Sequence, residues 1–224
     1  MTFHEYPDRD MLMLRLADHL AGELRQALSI HDRITFAVAG GTTPGPVYEI
    51  LSDVDLDWER VDVMLTDERW VPETSDRSNT SLLRTTLLRG KAAQANLVPL
   101  FSGDATPEDG LAGLSARVEA AMPISVLLLG MGTDMHTASL FPGADNLNAA
   151  LAPNAPGLMA MRAPGAPELR ITLTAPVLQS ADQIHILIVG DEKRRAVETA
   201  RAALSTQAAP VRVVLDSAEI HWAP

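Results

Sequence analysis

The stretch ISVLLLGMGTDMHTASLFP, residues 124–142, passes from a short apolar run directly into a turn rich in polar and charged side chains. Ile124–Leu129 is almost continuously apolar and does not alternate, which is typical of a strand buried on both faces of a parallel sheet. Further short apolar runs, each bounded by turn residues, predict strands at Ile34–Ala39, Val61–Leu65, Leu169–Leu173, Ile184–Val189 and Val211–Leu215.

Helix-like segments separate these runs. In Asp10–Ser29, apolar residues recur at helical spacing and leave a polar face, and Pro107–Ala121 and Asp191–Leu204 are also predicted helices. The alternation predicts an α/β fold, a three-layer α/β/α sandwich with a mostly parallel sheet and helices on both faces. The length favours a single domain over residues 1–224, and Asn146–Pro167 is predicted to be a long surface loop within it.

Composition limits the possible partners. A net charge of -11 disfavours binding to nucleic acid or to an anionic membrane, whereas a small anionic substrate would need a local cluster of cations. The absence of cysteine excludes disulfide and thiolate chemistry, and the N-terminal MTFHEYPDRD lacks the features of a signal peptide. We therefore expect a cytoplasmic protein without a membrane partner; the sequence does not indicate its oligomeric state.

In such folds ligands bind beyond the carboxyl ends of the strands. The first predicted strand is followed by Gly40-Gly41-Thr42-Thr43-Pro44, where glycines allow close backbone approach and Thr43 and Pro44 resemble an N-cap and a first helical residue. A helix that begins there would direct N–H groups at an anion. The alternative is a plain tight turn, because neither a Walker A loop nor a dinucleotide fingerprint is present.

Three further sites carry possible chemistry. Thr66-Asp67-Glu68-Arg69, with Ser78 and Asn79 nearby, is either a substrate-facing segment or a solvated turn. Asp134 and His136 could form an acid–imidazole pair for proton transfer, unless His136 only caps a turn. No other histidine lies at metal-ligand spacing from His136, so no metal is predicted there. Arg170 and Lys193 are either surface charges or the cations of a phosphate site.

Taken together and in this order, these motifs resemble the 6-phosphogluconolactonases, from about residue 30 to 195. The resemblance implies hydrolysis of 6-phosphoglucono-1,5-lactone in the oxidative pentose phosphate pathway, without metal or cofactor, on a fold shared with glucosamine-6-phosphate deaminases. It makes His136 the general base, with Asp134 orienting it and Asp67 and Arg69 lining the sugar end. The residues that it assigns to substrate and phosphate binding are Gly40, Gly41, Thr42, Thr43, Asn79, Arg170 and Lys193.

One position departs from the family pattern, because Met135 stands where the family usually has glycine. If the backbone there has positive φ, methionine adds roughly 1–2 kcal/mol of strain. Two other functions remain as alternatives. An amino-sugar-phosphate deaminase or isomerase would resemble Asp-Glu-Tyr where this chain has Asp67-Glu68-Arg69, and a non-catalytic sugar-phosphate sensor would not need the Asp134–His136 pair.

Overall fold

Strands and helices alternate along the chain in a computed structural model that describes residues 1–224. The strands are β1 (Thr2–Glu5), β2 (Ile34–Val38), β3 (Val61–Leu65), β4 (Asp67–Arg69), β5 (Asn96–Val98), β6 (Val126–Gly130), β7 (Leu158–Met161), β8 (Arg170–Leu173), β9 (Gln183–Val189) and β10 (Glu219–Ala223). The α-helices are α1 (Arg9–Ile30), α2 (Gly45–Ser52), α3 (Asn79–Thr86), α4 (Pro107–Ala120), α5 (Leu147–Leu151), α6 (Ala175–Gln179), α7 (Asp191–Ala202) and α8 (Arg212–Leu215).

Seven strands form one parallel sheet in the order β1-β10-β9-β6-β2-β3-β5. His221 and Trp222 are adjacent in β10, so their side chains point to opposite faces of this sheet. The His221 ring lies 5.9 Å from that of His19 in α1, while Arg194 of α7 lies 4.4 Å from the Trp222 ring. Helices therefore cover both faces, and the predicted three-layer α/β fold is confirmed.

A second, antiparallel sheet joins β4, β8 and β7 beside the main one. The predicted strand Leu169–Leu173 is present as Arg170–Leu173, but it belongs to this small sheet and not to the parallel one. Its register pairs Arg69 with Arg170 and Asp67 with Thr172. Two predicted site segments are thereby held side by side.

The predicted strand Val211–Leu215 is wrong, because Arg212–Leu215 forms the short helix α8. Val211, Val214 and Leu215 are buried, which is the i, i+3, i+4 spacing of one helical face, and Pro210 precedes the turn. The edge of the parallel sheet is instead formed by β10 and β1. Both contain polar residues and histidine, so neither has the continuous apolar pattern used to predict the other strands.

The predicted long loop Asn146–Pro167 is wrong in part, since it contains helix α5 and strand β7. Leu147 and Ala150 are buried in the core, and β7 gains its backbone partners from β8, the next strand along the chain. The three predicted helices correspond to α1, α4 and α7 with ends displaced by at most two residues. None of the helices combines the length and the apolarity needed to cross a membrane.

Candidate active site

A pocket opens at the carboxyl ends of β2, β3, β6 and β9, beside the small antiparallel sheet. It is lined by most of the residues selected from the sequence, namely Gly40, Gly41, Thr43, Asp67, Arg69, Asn79, His136, Arg170 and Lys193. Two selected residues do not line it: Thr42, whose carbonyl closes a turn with Gly45, and Asp134, which lies behind His136. Motifs up to 150 residues apart in the sequence thus meet at one edge of the sheet.

His136 is held by a tight turn directly after β6. Its Nδ1 lies 2.5 Å from Asp134 Oδ1, and its backbone N–H donates to the same oxygen at 3.2 Å. A Cβ on Gly132 would lie 2.1 Å from His136 Nδ1, so only glycine allows this approach. With Nδ1–H donated to the carboxylate, Nε2 carries the free lone pair of a neutral imidazole.

The Asp134 carboxylate stays ionised beside the imidazole. Burial raises the pKa of Asp134, but the charge and hydrogen bonds of His136 outweigh this and bring the pKa below its ordinary value. The Phe141 ring lies 4.3 Å from the His136 ring, centroid to centroid. His136 is thus fixed by a charged partner on one side and by an aromatic ring on another.

Met135 has φ of 66°, so the left-handed backbone considered from the sequence is present in this turn. We expect Met135→Gly to be more stable than Met135→Ala by about 1 kcal/mol. Relief of roughly 1–2 kcal/mol of left-handed strain exceeds the extra backbone entropy that glycine loses, about 0.5–1 kcal/mol. Both variants lose the methionine side chain beyond Cβ. The difference between their free energies of unfolding in urea therefore reports mainly the backbone strain at this position. Equal stability, or a more stable alanine variant, would show that the turn relaxes around the side chain.

Arg170 and Lys193 supply positive charge to the pocket. Only 9% of Arg170 is exposed; its Nη1 lies 3.8 Å from Asp67 Oδ2 and its guanidinium lies 5.6 Å from the Phe141 ring centre. Burial lowers the pKa of Arg170, and the Asp67 carboxylate partly offsets that effect. Lys193 donates from Nζ to the Met131 carbonyl, and burial lowers its pKa, with Asp134 and Glu192 acting in the opposite direction.

The Nε atoms of Arg69 and Arg170 are buried without a hydrogen-bond partner. A buried donor left unpaired costs roughly 1–3 kcal/mol, and the cost is greater for a charged group. Arg69 uses its Nη1 to donate to the Arg77 carbonyl at 2.7 Å, which holds the side chain in place. Unpaired guanidinium donors beside a pocket favour an anionic or oxygen-rich ligand.

Asp67 and Asn79 are connected by a buried polar network. Asp67 accepts a hydrogen bond from Ser139 Oγ at 2.5 Å, and its backbone carbonyl accepts from Asn79 Nδ2 at 3.1 Å. A Cβ on Gly40 would lie 2.2 Å from the Asn79 side chain, so this glycine lets the first loop approach α3 closely. Ser139 is therefore a buried hydrogen-bond partner of Asp67.

Glu68 positions the pocket residue Asn79, a role that the sequence did not indicate. It is fully buried and accepts from the backbone N–H groups of Asn79 at 2.8 Å and Thr80 at 2.7 Å. A carboxylate at a helix N-terminus is favoured by the helix dipole. Glu68 therefore anchors the start of α3 and, through it, the position of Asn79. Successive side chains of a strand point to opposite faces, so a strand predicted at Asp67–Arg69 would have placed Glu68 on the face opposite to its two neighbours.

The predicted N-cap at Thr43 is wrong. Helix α2 begins at Gly45, Pro44 occupies the N-cap position, and no side chain caps the helix. Pro44 already has helix-like backbone angles, and Gly45 N–H donates to the Thr42 carbonyl at 3.2 Å in the preceding turn. The Thr43 hydroxyl is therefore not used for capping, and the residue lines the pocket.

The chain is similar to known proteins over its whole length. A family model described as "Glucosamine-6-phosphate isomerases/6-phosphogluconolactonase" matches residues 7–222. The chain belongs to this family. It is 39% identical to a 6-phosphogluconolactonase of Rhizobium meliloti strain 1021, covering 100% of this chain and 99% of the relative. It is 40% identical to a 6-phosphogluconolactonase of Pseudomonas aeruginosa, covering 93% of this chain and 89% of the relative.

Solved structures of the family have the same fold. The crystal structure of a 6-phosphogluconolactonase from Shewanella baltica matches with a TM-score of 0.96 at 31% identity, covering 100% of this chain and 98% of that one. A second, from Thermotoga maritima, matches with a TM-score of 0.83 at 25% identity, covering 99% and 98%. The segments that surround the pocket therefore lie within the part of the chain that the family shares.

Proposed function

We propose that this chain is a 6-phosphogluconolactonase, which hydrolyses 6-phosphoglucono-1,5-lactone to 6-phosphogluconate. The observation that carries the proposal is the Asp134–His136 pair, with Nδ1 bound to the carboxylate at 2.5 Å, in a pocket that also contains Arg170 and Lys193. A proton acceptor and a cation cluster in one pocket match a phosphorylated ester substrate. The net charge of -11 fits a small-molecule partner in the cytoplasm and disfavours nucleic acid.

In the proposed reaction His136 acts first as base and then as acid. Its Nε2 takes a proton from water as the water oxygen attacks the lactone carbonyl carbon. The resulting imidazolium is stabilised by Asp134 and gives that proton to the ring oxygen as the carbon–oxygen bond breaks. The product carboxylic acid releases its remaining proton to solvent, so each turnover yields one acid equivalent.

The remaining pocket residues are proposed to bind the substrate. Arg170, Lys193 and the backbone of the Gly40–Thr43 loop hold the phosphate, while Asp67 and Arg69 face the sugar. Binding energy from the phosphate, remote from the bond that breaks, positions the carbonyl beside His136. The single buried core of 60 residues supports treating residues 1–224 as one domain.

Arg170→Ala and Lys193→Ala should each raise KM about tenfold or more, with the fold intact. A charge-assisted hydrogen bond to an anion is worth roughly 1.5–3 kcal/mol, and each variant loses at least one. Steady-state kinetics should be compared with Lys91→Ala, whose exposed side chain lies near Asp55 and outside the pocket. Unchanged KM in both pocket variants would show that neither Arg170 nor Lys193 binds the phosphate.

Hydrolysis should continue at its full rate after exhaustive treatment with a chelator. The proposed steps use only the imidazole, carboxylate and cationic groups of this chain. The check is acid release before and after chelation, with zinc or magnesium added back. Activity that disappears with the chelator and returns with metal, in protein that stays folded throughout, would show that a metal takes part in the reaction.

Two alternatives predict different products. An isomerase or deaminase would release ammonia from glucosamine 6-phosphate, and a sensor would bind a sugar phosphate without turnover. The experiment is to follow acid release from freshly generated 6-phosphogluconolactone, corrected for spontaneous hydrolysis, beside ammonia release and a plain binding measurement. Rapid acid release with no ammonia supports the lactonase; ammonia release or binding without turnover overturns it.

A further inference from the structure

A cluster of histidine and carboxylate side chains lies between α1 and the edge of the parallel sheet, outside the catalytic pocket. His19 and Glu23 are one turn apart on α1 and therefore share a helix face. His185 of β9 and Glu219 of β10 are paired in register on adjacent strands, so their side chains point to the same face. Four potential ligands from three elements thus converge, and none of them lines the pocket.

The distances within this cluster suit a tetrahedral cation. His19 Nε2 lies 3.1 Å from Glu23 Oε1 and 3.8 Å from Glu219 Oε2, while His185 Nε2 lies 2.7 Å from Glu23 Oε2. The ligand atoms of His19, His185 and Glu219 all lie within 4.8 Å of one another. Zinc bonds of about 2.0–2.1 Å place tetrahedral ligand atoms roughly 3.3 Å apart, so ligand atoms that already lie within 4.8 Å of one another come into range through side-chain movements.

An outer set of hydrogen bonds fixes the orientation of these ligands. His185 Nδ1 lies 3.1 Å from His221 Nε2, and His221 Nδ1 lies 3.0 Å from the Tyr6 hydroxyl. On the other side, His4 Nε2 lies 2.7 Å from Glu219 Oε2. The second ring nitrogen of His185 is thus held by a hydrogen bond, as is typical of metal-ligating histidines, and Glu219 is held through the oxygen that faces His19.

We propose that His19, Glu23, His185 and Glu219 bind one Zn²⁺ ion in a structural site. Two neutral imidazoles and two carboxylates exactly balance the charge of a divalent cation, which removes the cost of placing two carboxylates together in a half-buried site. His185 is fully buried, whereas the side chains of His19 and Glu219 are 41% and 31% exposed and leave a path for the ion.

The ion would join α1 to β9 and β10. Helix α1 and strand β10 come from opposite ends of the chain, so the site would tie together segments separated by up to 200 residues. Because the ion would bind the folded chain, it should raise Tm without changing turnover. This separates the site from the proposed lactonase chemistry, which uses no metal.

The test is a calorimetric titration of the chelator-treated full chain with Zn²⁺, in parallel with thermal unfolding. We expect one zinc ion per chain with a Kd of about 1 µM or below. At 100 times Kd, zinc should raise Tm by about 5–10 °C. The titration is repeated in His136→Ala, so that zinc held by Asp134 and His136 in the pocket is not counted; the stoichiometry of one should persist there.

The variants His19→Ala and Glu219→Gln should each weaken Kd at least tenfold, and both change partly exposed side chains. The matched control is His31→Ala, which removes an exposed histidine directly after α1 and outside the cluster. Circular dichroism shows which variants are folded, and either folded variant suffices. Absence of stoichiometric binding, binding lost only in His136→Ala, or His19 and Glu219 variants that match His31→Ala would overturn the proposal.

Discussion

Replacing His136 with alanine should lower kcat by roughly 10²–10⁴-fold, the usual contribution of a positioned general base. Water is a poor nucleophile toward a lactone carbonyl unless its proton is removed as the new bond forms. The proposed phosphate ligands, Arg170, Lys193 and the Gly40–Thr43 backbone, do not include this imidazole. The variant should therefore still bind 6-phosphogluconate with nearly unchanged affinity.

The matched control for His136→Ala is His31→Ala, which removes an exposed imidazole far from the pocket and should leave kcat unchanged. Comparing kcat, product affinity and unfolding for the two variants separates a lost base from a disturbed fold. A correctly folded His136→Ala protein with near-normal turnover would falsify the assignment. Asp67, buried and bound to Ser139, would then be the next candidate base.

Removal of the phosphate from the substrate should have an effect of similar size. Glucono-1,5-lactone cannot form the charge-assisted bonds to Arg170 and Lys193, each worth roughly 1.5–3 kcal/mol. Loss of both corresponds to a decrease in kcat/KM of about 10²–10⁴-fold. The comparison requires both lactones to be assayed with correction for their spontaneous hydrolysis.

The double variant Arg170→Ala, Lys193→Ala provides the control for this prediction. It should retain only a small preference for the phosphorylated lactone, because only the backbone N–H groups of the Gly40–Thr43 loop remain to bind the phosphate. Lys91→Ala should retain the full preference for the phosphorylated substrate. Comparable kcat/KM values for the two lactones in the unmodified protein would contradict the proposed phosphate site.

Much of the fold could be predicted because its central strands are buried on both faces. Nearly continuous apolar runs of the sequence coincide with β2, β3, β6 and β9, and that pattern depends only on local sequence. The edge strands could not be found in this way, because β1 and β10 place His4, Glu219 and His221 on one face. Val211–Leu215 was misassigned because a run of β-branched residues fits a strand and one helical turn equally well.

The residues around the pocket could be selected because the carboxyl ends of parallel strands meet at one edge. The distances between these residues and the identity of their hydrogen-bond partners could not be predicted from the sequence. The association of Ser139 with Asp67 and the burial of Glu68 beneath α3 depend on contacts between separate segments. The histidine cluster under α1 was missed for the same reason, since His19, His185 and Glu219 meet only through helix packing and strand register.

The most direct test of the Asp134–His136 pair is the acid side of the pH profile of kcat/KM, measured for the unmodified protein and for Asp134→Asn. Asp134 remains ionised over this range because its pKa lies below the ordinary value. We expect activity to fall with decreasing pH as the imidazole takes up a proton and can no longer accept one from water. In Asp134→Asn the imidazolium loses its stabilising charge, so the fall should move to lower pH and the plateau should decrease. A profile that Asp134→Asn leaves unchanged in both position and height would contradict the account.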